Sequence, residues 1–290
     1  MLQLGHIYYL KGRKMAAWTD KSRRLLDQVR VGLSERLGAY IPRSCTHLKG
    51  NGGVKGALRS VVKALGQHGF VARLDIASYY KSMQHKTLLG LLDAAGASST
   101  ERTVVADYLR LPDRGKTGRG MVASGGLSPL LGGLYLAPLD REMARRKQAG
   151  QIGLYVRYMD DIVLVTKTRW QLRRAIAALH GELRVLELRL HATKRFIGRA
   201  IRGFDFLGFD FHPGRKLRPS RESIRRLRER ARRLYEREGD IHRLRQYVAS
   251  WQRWIFGGLD GLVSRQGGHR RTTRHILSHL HIPRPCSRDG

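Results

Sequence analysis

The segment that most constrains the fold is YVRYMDDIVLV, from Tyr155 to Val165. Its two halves are rich in β-branched and aromatic residues, which favours two buried strands. They meet at Met159-Asp160-Asp161, so the pattern predicts a tight hairpin with two adjacent carboxylates at its tip. Adjacent ionised carboxylates repel each other, and a multivalent cation relieves that repulsion. Considered alone, the pair is equally compatible with a solvated hairpin turn, because Asp is a favoured turn residue.

A third carboxylate follows another predicted strand. Residues Phe70 to Ile76, FVARLDI, alternate as a strand would, and Asp75 stands at its end. Mg²⁺ prefers oxygen ligands. In-line displacement at phosphorus uses two ions about 3.5–4 Å apart, which requires at least one carboxylate beyond the adjacent pair. We therefore expect Asp75, Asp160 and Asp161 to hold two Mg²⁺ ions, with Mn²⁺ as an alternative metal.

Other patterns place helices and one more strand around these segments. Helices are predicted at Asp20–Leu37, at His85–Ala95, at Ser128–Leu139 with Pro129 in its first turn, and at Trp170–Leu186, and a strand at Phe204–Phe211. This order of strands and helices suits an α+β fold, with a sheet covered on one face by helices.

The charge of the chain indicates a polyanionic partner. Lys and Arg exceed Asp and Glu by 33 in 290 residues, far more than solubility requires. A membrane surface is disfavoured, because no run of about 18 apolar residues is present. Nucleic acid is the expected partner. Two cysteines, Cys45 and Cys286, have no zinc-site or disulfide spacing, which is typical of a reducing compartment and predicts a cytoplasmic protein.

The basic charge is concentrated after residue 213, where the pattern changes to basic helices. Seven arginines lie between Arg221 and Arg233, and we expect few acidic residues to pair with them. The hypothesis is nucleic-acid binding, and a solvated helix face is the alternative. The predicted contacts are Arg225, Arg226, Arg232 and Arg233. The predicted division is residues 1–213 and residues 214–290.

A glycine-rich segment from Lys49 to Gly56 carries Lys49 and Lys55. Glycine allows close approach of the backbone to a phosphate, so these lysines are candidates for binding a triphosphate or a template backbone. The segment matches no P-loop spacing, and a flexible basic turn is the alternative.

Three motifs in order carry a family resemblance. Asp75-Ile-Ala-Ser-Tyr-Tyr80, Gly126-Leu-Ser-Pro-Leu130 and Tyr158-Met-Asp-Asp161 resemble the active-site motifs of reverse transcriptases. The chain is most similar to compact bacterial reverse transcriptases related to group II introns and diversity-generating retroelements, from Phe70 to about Gly208. The resemblance implies a right-hand polymerase with abbreviated fingers and a palm sheet covered by helices. Residues 1–213 would form the fingers and palm, and residues 214–290 an α-helical basic thumb and C-terminal tail.

The resemblance also implies roles for individual residues. The metal site would comprise Asp75, Ile76, Asp160 and Asp161. Tyr80 would exclude the ribose 2′-hydroxyl, while Ser128 and Pro129 would contact the incoming nucleotide and template. His191-Ala-Thr-Lys194 resembles a segment whose lysine lies near the triphosphate, so Lys194 is a candidate catalytic residue; a solvated lysine is the alternative. Ala123-Ser124 stands where the family usually has Gln-Gly, a departure that concerns nucleotide selection rather than the metal site.

The implied activity is RNA-directed DNA synthesis by nucleotidyl transfer. Its partners would be an RNA template, a DNA primer and product, and dNTPs, and a dedicated noncoding RNA or an accessory protein is compatible with it. A maturase-like or scaffold protein that binds RNA is the second hypothesis. An RNA-directed RNA polymerase is the third, and Tyr80 argues against it because a bulky ring would clash with a 2′-hydroxyl. Mobility, diversification and defence against phage are alternative roles that the sequence does not distinguish.

Overall fold

The computed structural model describes residues 2–10, 13–123, 125–238, 240–265, 270, 272–274 and 276, without the side chains of residues 13 and 238. The chain divides into two compact units, Met1–Arg199 and Ala200–Gly290. This division lies earlier in the chain than the boundary predicted after residue 213. The reason is strand pairing: Phe204–Phe206 and Phe209–Phe211 pair with each other and then with Arg218–Pro219, so they belong to the second unit.

The first unit combines a two-stranded hairpin, a four-stranded sheet and eight described helices. Its strands are β1 (Leu4–Leu10), β2 (Arg13–Trp18), β3 (Phe70–Asp75), β4 (Leu154–Tyr158), β5 (Asp161–Thr166) and β6 (Phe196–Arg199). Its helices are α1 (Asp20–Tyr40), α2 (Gly53–Leu65), α3 (Tyr79–Ser82), α4 (His85–Ala94), α5 (Ser99–Arg110), α6 (Leu127–Tyr135), α7 (Ala137–Gln148) and α8 (Arg169–Val185).

The four-stranded sheet has the order β4-β5-β3-β6, and every neighbouring pair is antiparallel. The predicted strand at Phe70 and the predicted hairpin of β4 and β5 are thereby confirmed. Successive residues of β4 and β5 are buried, whereas helices were expected on one face only. Both faces of these strands are therefore covered, and helices α2, α7 and α8 contribute to that covering.

Two predicted helix boundaries were wrong. The apolar run predicted as one helix from Ser128 to Leu139 is two helices, because α6 ends before Leu136 and α7 begins at Ala137. Pro138 lies in the first turn of α7, where a proline is tolerated although it would disrupt a helix interior. The glycine-rich segment was expected to be a loop up to Gly56, but α2 already begins at Gly53.

Several elements of the first unit were not predicted, among them the hairpin of β1 and β2 and helix α5. The hairpin of β1 and β2 is exposed along most of β1, so its sequence lacks the alternation of apolar and polar residues that marks a half-buried strand. Helix α5 is preceded by Ser98, whose hydroxyl accepts a hydrogen bond from the Glu101 N–H while the Glu101 carboxylate accepts one from the Ser98 N–H. This capping box is a signal that sequence reasoning could have used.

In its described residues, the second unit contains a small sheet and two long helices. Its elements are β7 (Phe204–Phe206), β8 (Phe209–Phe211), β9 (Arg218–Pro219), α9 (Arg221–Glu238) and α10 (Ile241–Phe256). The two helices pack through Leu227, Ala231, Leu244 and Val248, in the part of the chain where basic helices were predicted. No helix in the described part of the chain is long and apolar enough to cross a membrane.

Candidate active site

The strand register places the three predicted aspartates at one end of the four-stranded sheet. Asp75, the last residue of β3, stands opposite Asp161, the first residue of β5. Residues directly opposite in an antiparallel pair have Cβ atoms about 4.5–5.5 Å apart. Asp160 precedes β5, and its carbonyl accepts a 3.3 Å hydrogen bond from the N–H of Ile76. The structure thus brings Asp75, Ile76, Asp160 and Asp161 together, although β3 and β5 are far apart in sequence.

The turn that carries Asp160 and Asp161 has a constrained backbone. Met159 adopts a φ of 56°, a left-handed conformation that costs a non-glycine residue about 1–2 kcal/mol. Its peptide groups are held on both sides: the N–H donates to His47 Nδ1 at 3.1 Å, and the carbonyl accepts from Arg157 Nη1 at 2.8 Å. These two bonds fix the backbone immediately before the aspartate pair.

Arg157 is itself held by a buried carboxylate. The side chains of Arg157 and Asp140 are both fully buried, and Nε donates to Oδ1 at 2.9 Å while Nη2 donates to Oδ2. The Tyr155 hydroxyl donates to the same carboxylate at 2.6 Å. The charge of Asp140 raises the pKa of Arg157, against the effect of burial. Arg157 therefore stays protonated and keeps its bond to the turn.

Tyr80, the predicted barrier to ribonucleotides, lies between the turn and helix α6. Its hydroxyl is 3.5 Å from the sulfur of Met159. A Cβ added at Gly132 in α6 would be 3.4 Å from the same hydroxyl, so the absence of a side chain at Gly132 makes room for the ring. The ring is partly buried and lies beside the turn that carries Asp160 and Asp161.

Ser128 has a different environment from the one its predicted role suggests. The side chain is fully buried. Its hydroxyl donates to the Val122 carbonyl at 2.7 Å and lies 2.7 Å from the Tyr108 hydroxyl, which must then be the donor. The hydroxyl thus donates one hydrogen bond and accepts one inside the protein. The Ser128 hydroxyl therefore anchors the start of α6, and contact with a nucleotide through this helix would involve its neighbours or its backbone.

The segment containing Lys194 is attached to the strand of Asp75. The N–H of His191 donates to the Asp75 carbonyl at 2.7 Å, and the Lys194 carbonyl accepts a 3.3 Å hydrogen bond from Arg73. His191 Nδ1 accepts from the N–H groups of Thr193 and Lys194. Lys194 is exposed, so its backbone is fixed beside the site while its ammonium group can reach solvent or a substrate.

The two lysines of the glycine-rich segment lie in different settings. Lys49 is exposed in the loop before α2, and Lys55 is half-buried in the first turn of the helix. Burial, together with the charge of Arg59, lowers the pKa of Lys55. The segment is linked to the sheet through Thr46: the Gly53 N–H donates to the Thr46 carbonyl at 2.9 Å, and the Thr46 N–H donates to the Arg157 carbonyl at 2.8 Å.

The expectation that the arginines of α9 have few acidic partners was wrong. Each of the four predicted contacts forms an ion pair within the same helix: Arg225 and Arg226 with Glu222, Arg225 and Arg233 with Glu229, and Arg232 with Glu236. Glutamates recur at spacings of three and four residues from the arginines, which the sequence already shows. All of these side chains are substantially exposed, so the pairs contribute little to stability.

Comparison with protein families gives a match over most of the first unit. The model of the reverse transcriptase (RNA-dependent DNA polymerase) family matches residues 18–211, which include every element around the three aspartates. The chain belongs to this family. No curated protein matches the chain.

Solved structures of telomerases share the fold of this reverse transcriptase family member. Apo telomerase from Candida tropicalis has a TM-score of 0.58 at 11% identity, over 96% of this chain and 58% of that one. Its form truncated from the C-terminal domain gives 0.57 at 12% identity, over 76% and 55%. Telomerase from Candida albicans in complex with a TWJ fragment of telomeric RNA gives 0.56 at 11% identity, over 96% and 59%. The chain spans somewhat more than half the length of these telomerases, and the likeness supports the right-hand polymerase fold.

Reverse transcriptases of this family use divalent metal ions, and the residues present fit such an ion. Among the described residues, no group of three or more His, Cys, Asp or Glu side chains stands ready to hold a metal. Mg²⁺, however, commonly takes only one or two protein carboxylates and completes its shell with water and substrate phosphates. Asp75 and Asp161, opposite each other on adjacent strands, supply carboxylates of the type it requires.

Sequence reasoning missed the residues that support the turn. Arg157 is a charged residue inside an otherwise apolar strand, LYVRY, and a buried charge requires a partner. That signal could have identified Arg157, although not Asp140 as its partner. His47 carried no comparable signal, because its partners are Pro129 and Met159, both remote in sequence.

Proposed function

We propose that this chain is an RNA-directed DNA polymerase that extends a DNA primer on an RNA template, with Asp75, Asp160 and Asp161 as ligands of two Mg²⁺ ions. The observation that carries the proposal is the register of β3 and β5, which sets Asp75 opposite Asp161 beside a turn whose backbone is fixed by hydrogen bonds on both sides. A solvated turn would need no such support.

The reaction is attack of the primer 3′-oxygen on the α-phosphorus of a dNTP, with pyrophosphate as the leaving group. When bound, the divalent ions lower the pKa of the attacking hydroxyl and stabilise the charge that develops on the phosphate. The protein contributes position and charge. Asp75 and Asp160 would be the main residues that hold the ions, with Asp161 as the less direct ligand, and Lys194 would approach the triphosphate from the segment fixed at Asp75.

Substrate selection would rest on Tyr80. Its ring lies against Gly132 and reaches Met159, so a ribose bound beside the turn would meet the ring on one side. A 2′-hydroxyl adds volume where the ring stands. This arrangement supports deoxynucleotides as the substrate class and argues against RNA-directed RNA synthesis.

An RNA template is supported by family membership and by the charge of the chain. The family is that of RNA-dependent DNA polymerases, and a telomerase with the same fold was solved with a fragment of telomeric RNA. An excess of 33 basic residues supplies the counter-charge for nucleic-acid phosphates. The template would be bound through shape and charge, since a hybrid duplex is close to A-form.

The test is primer extension with an Asp160→Asn variant. Asn preserves the size of the side chain but removes a negative charge from the site, so extension on a primed RNA template should be abolished. Asp93→Asn is the matched control, because Asp93 is an exposed partner of Arg102 on the surface. Its extension should equal that of the wild type.

Folding and RNA binding separate the enzyme from a scaffold. Removing one carboxylate from a like-charged group should leave thermal stability without Mg²⁺ unchanged or slightly higher, and RNA affinity should be unchanged. Undiminished extension by Asp160→Asn would refute the site. A wild-type protein that binds RNA tightly but extends no primer would favour the maturase-like or scaffold function.

A further inference from the structure

His47 connects the turn of the aspartate pair to helix α6. Its Nδ1 lies 3.1 Å from the N–H of Met159, and its Nε2 lies 2.9 Å from the carbonyl of Pro129. The ring also meets the ring of Tyr158 edge-on, with centroids 5.9 Å apart. One side chain thus contacts both residues that precede Asp160 and the proline that follows Ser128.

The backbone that carries His47 is fixed to the sheet. The N–H of Arg157 donates to the Ser44 carbonyl at 2.8 Å, and the N–H and hydroxyl of Thr46 both donate to the Arg157 carbonyl. The Asn51 amide donates to the Cys45 carbonyl at 3.0 Å. The backbone of His47 is therefore held in place by its own bonds to the sheet, so the ring can fix the position of the turn.

We propose that His47 is a positioning residue of the polymerase site, which sets the distance between the turn bearing Asp160 and the start of α6. The metal ions and the nucleotide would be bound between these two elements, so a change in their distance would separate the reacting groups. The proposal rests on the polymerase function proposed above.

The hydrogen-bonding chemistry fixes a single form of the ring. A carbonyl oxygen only accepts, so Nε2 must carry the proton that points at Pro129, and a backbone N–H only donates, so Nδ1 must be the acceptor for Met159. Both bonds exist together only in the neutral ring with its proton on Nε2. Burial, assisted by the nearby charge of Arg157, lowers the pKa of His47 to about 4, which keeps the ring neutral near pH 7.

Two substitutions separate the two bonds. The oxygen of Asn lies at about the position of Nδ1, so His47→Asn retains an acceptor for the Met159 N–H and loses the donor to Pro129. The amide nitrogen of Gln reaches about as far as Nε2, so His47→Gln retains the donor to Pro129 and loses the acceptor for Met159. His47→Ala removes both. His68→Ala is the control. His68 is also a half-buried histidine that bonds a backbone carbonyl, that of Ala64. It lies beside Gly153, at the end of β4 opposite to His47.

Amide hydrogen exchange measures the bond to the turn without requiring activity. The Met159 amide should be protected in the wild type, in His47→Asn and in the His68→Ala control, and should exchange faster in His47→Gln and His47→Ala. Equal exchange at Met159 in all five proteins would overturn the proposal. If His47→Ala does not fold, the comparison of Asn with Gln still decides, since both fill the site with a polar side chain.

Single-nucleotide extension measures the effect on the reaction. Loss of a residue that supports metal ligands typically lowers activity 10- to 100-fold, so kcat should fall by about that factor in His47→Gln and His47→Ala, with a smaller change in KM. His47→Asn should recover part of kcat. If the wild type extends primers and all His47 variants match it, the proposal is wrong while the polymerase function stands. If the wild type extends none, the polymerase function fails and the positioning role of His47 fails with it, and faster exchange at Met159 would show only that His47 holds the turn.

Discussion

The guanidinium of Arg157 and the carboxylate of Asp140 form a two-point ion pair from which solvent is completely excluded, and the same guanidinium donates to the carbonyl of Met159. The pair therefore links α7, through Asp140, to the turn that carries Asp160 and Asp161. Removing one member of a buried pair leaves the other charge without compensation, whereas replacing both by apolar residues is often tolerated.

We expect Asp140→Asn to lower the free energy of unfolding by about 3–5 kcal/mol. The double substitution Asp140→Leu with Arg157→Met should recover most of this stability, because no buried charge remains. Extension should nevertheless stay impaired in the double variant, since the Met159 carbonyl has lost its donor. Urea unfolding and primer extension on the same samples test both parts. Full activity in a stable double variant would show that the pair serves folding alone.

Tyr80→Ala should allow incorporation of ribonucleotides, because removing the ring opens the space beside the turn that a 2′-hydroxyl would occupy. The ratio of rNTP to dNTP incorporation should rise relative to the wild type. Tyr80→Phe is the control: it keeps the ring and loses only the hydroxyl near Met159, so it should discriminate as the wild type does. An unchanged ratio in Tyr80→Ala with intact DNA synthesis would remove Tyr80 from nucleotide selection.

Replacing Arg225, Arg226, Arg232 and Arg233 with Gln should flatten the dependence of log affinity for a template–primer duplex on log salt concentration, because fewer counterions are released on binding. Glu222 provides a control of opposite sign. Its carboxylate pairs with Arg225 and Arg226. It therefore competes with the phosphates of the duplex for these arginines and should weaken binding of the duplex. Glu222→Gln should therefore bind the duplex more tightly at low salt. Equal slopes in all three proteins would assign the duplex to another surface.

Stability should fall with acid through His47. Its folded pKa of about 4 lies below the ordinary value of 6.5, so between these values the unfolded chain binds more protons than the folded one. The stability contributed by neutral His47 is complete above about pH 6.5 and is lost as pH falls towards 4, by at most about 1.4 kcal/mol per unit. The free energy of unfolding, measured with urea between pH 4 and 6.5, should fall more steeply with acid in the wild type than in His47→Asn. Parallel curves would mean that His47 does not titrate in this range.

The strands around the aspartates could be predicted because each carries its own local signal. Tyr155 to Val165 is apolar on both sides of the aspartate pair, and Phe70 to Asp75 alternates. What joins them is not local. The sequence predicted only that Asp75 joins the metal site, since a two-metal site needs a third carboxylate; the pairing of Asp75 with Asp161 came from the structure.

The support of the site could not be predicted for the same reason. The bonds of His47 reach Pro129 and Met159, and no spacing in the sequence relates these three residues. The hydrogen bonds of the Ser128 hydroxyl could not be predicted either, because the motif identifies the residue but not its burial against Tyr108. By contrast, the pairing of the arginines in α9 was visible as glutamates one turn away and was overlooked.

The sheet order β4-β5-β3-β6 also has a consequence for synthesis on the ribosome. Both neighbours of β3 are made after it, so the strand that ends in Asp75 emerges with two unpaired edges. Unpaired edges are sites at which another chain can pair. A nascent chain or fragment that stops before Leu154 would present this strand without partners. It should be prone to self-association, and it should lack polymerase activity because β5, which carries Asp161, is missing.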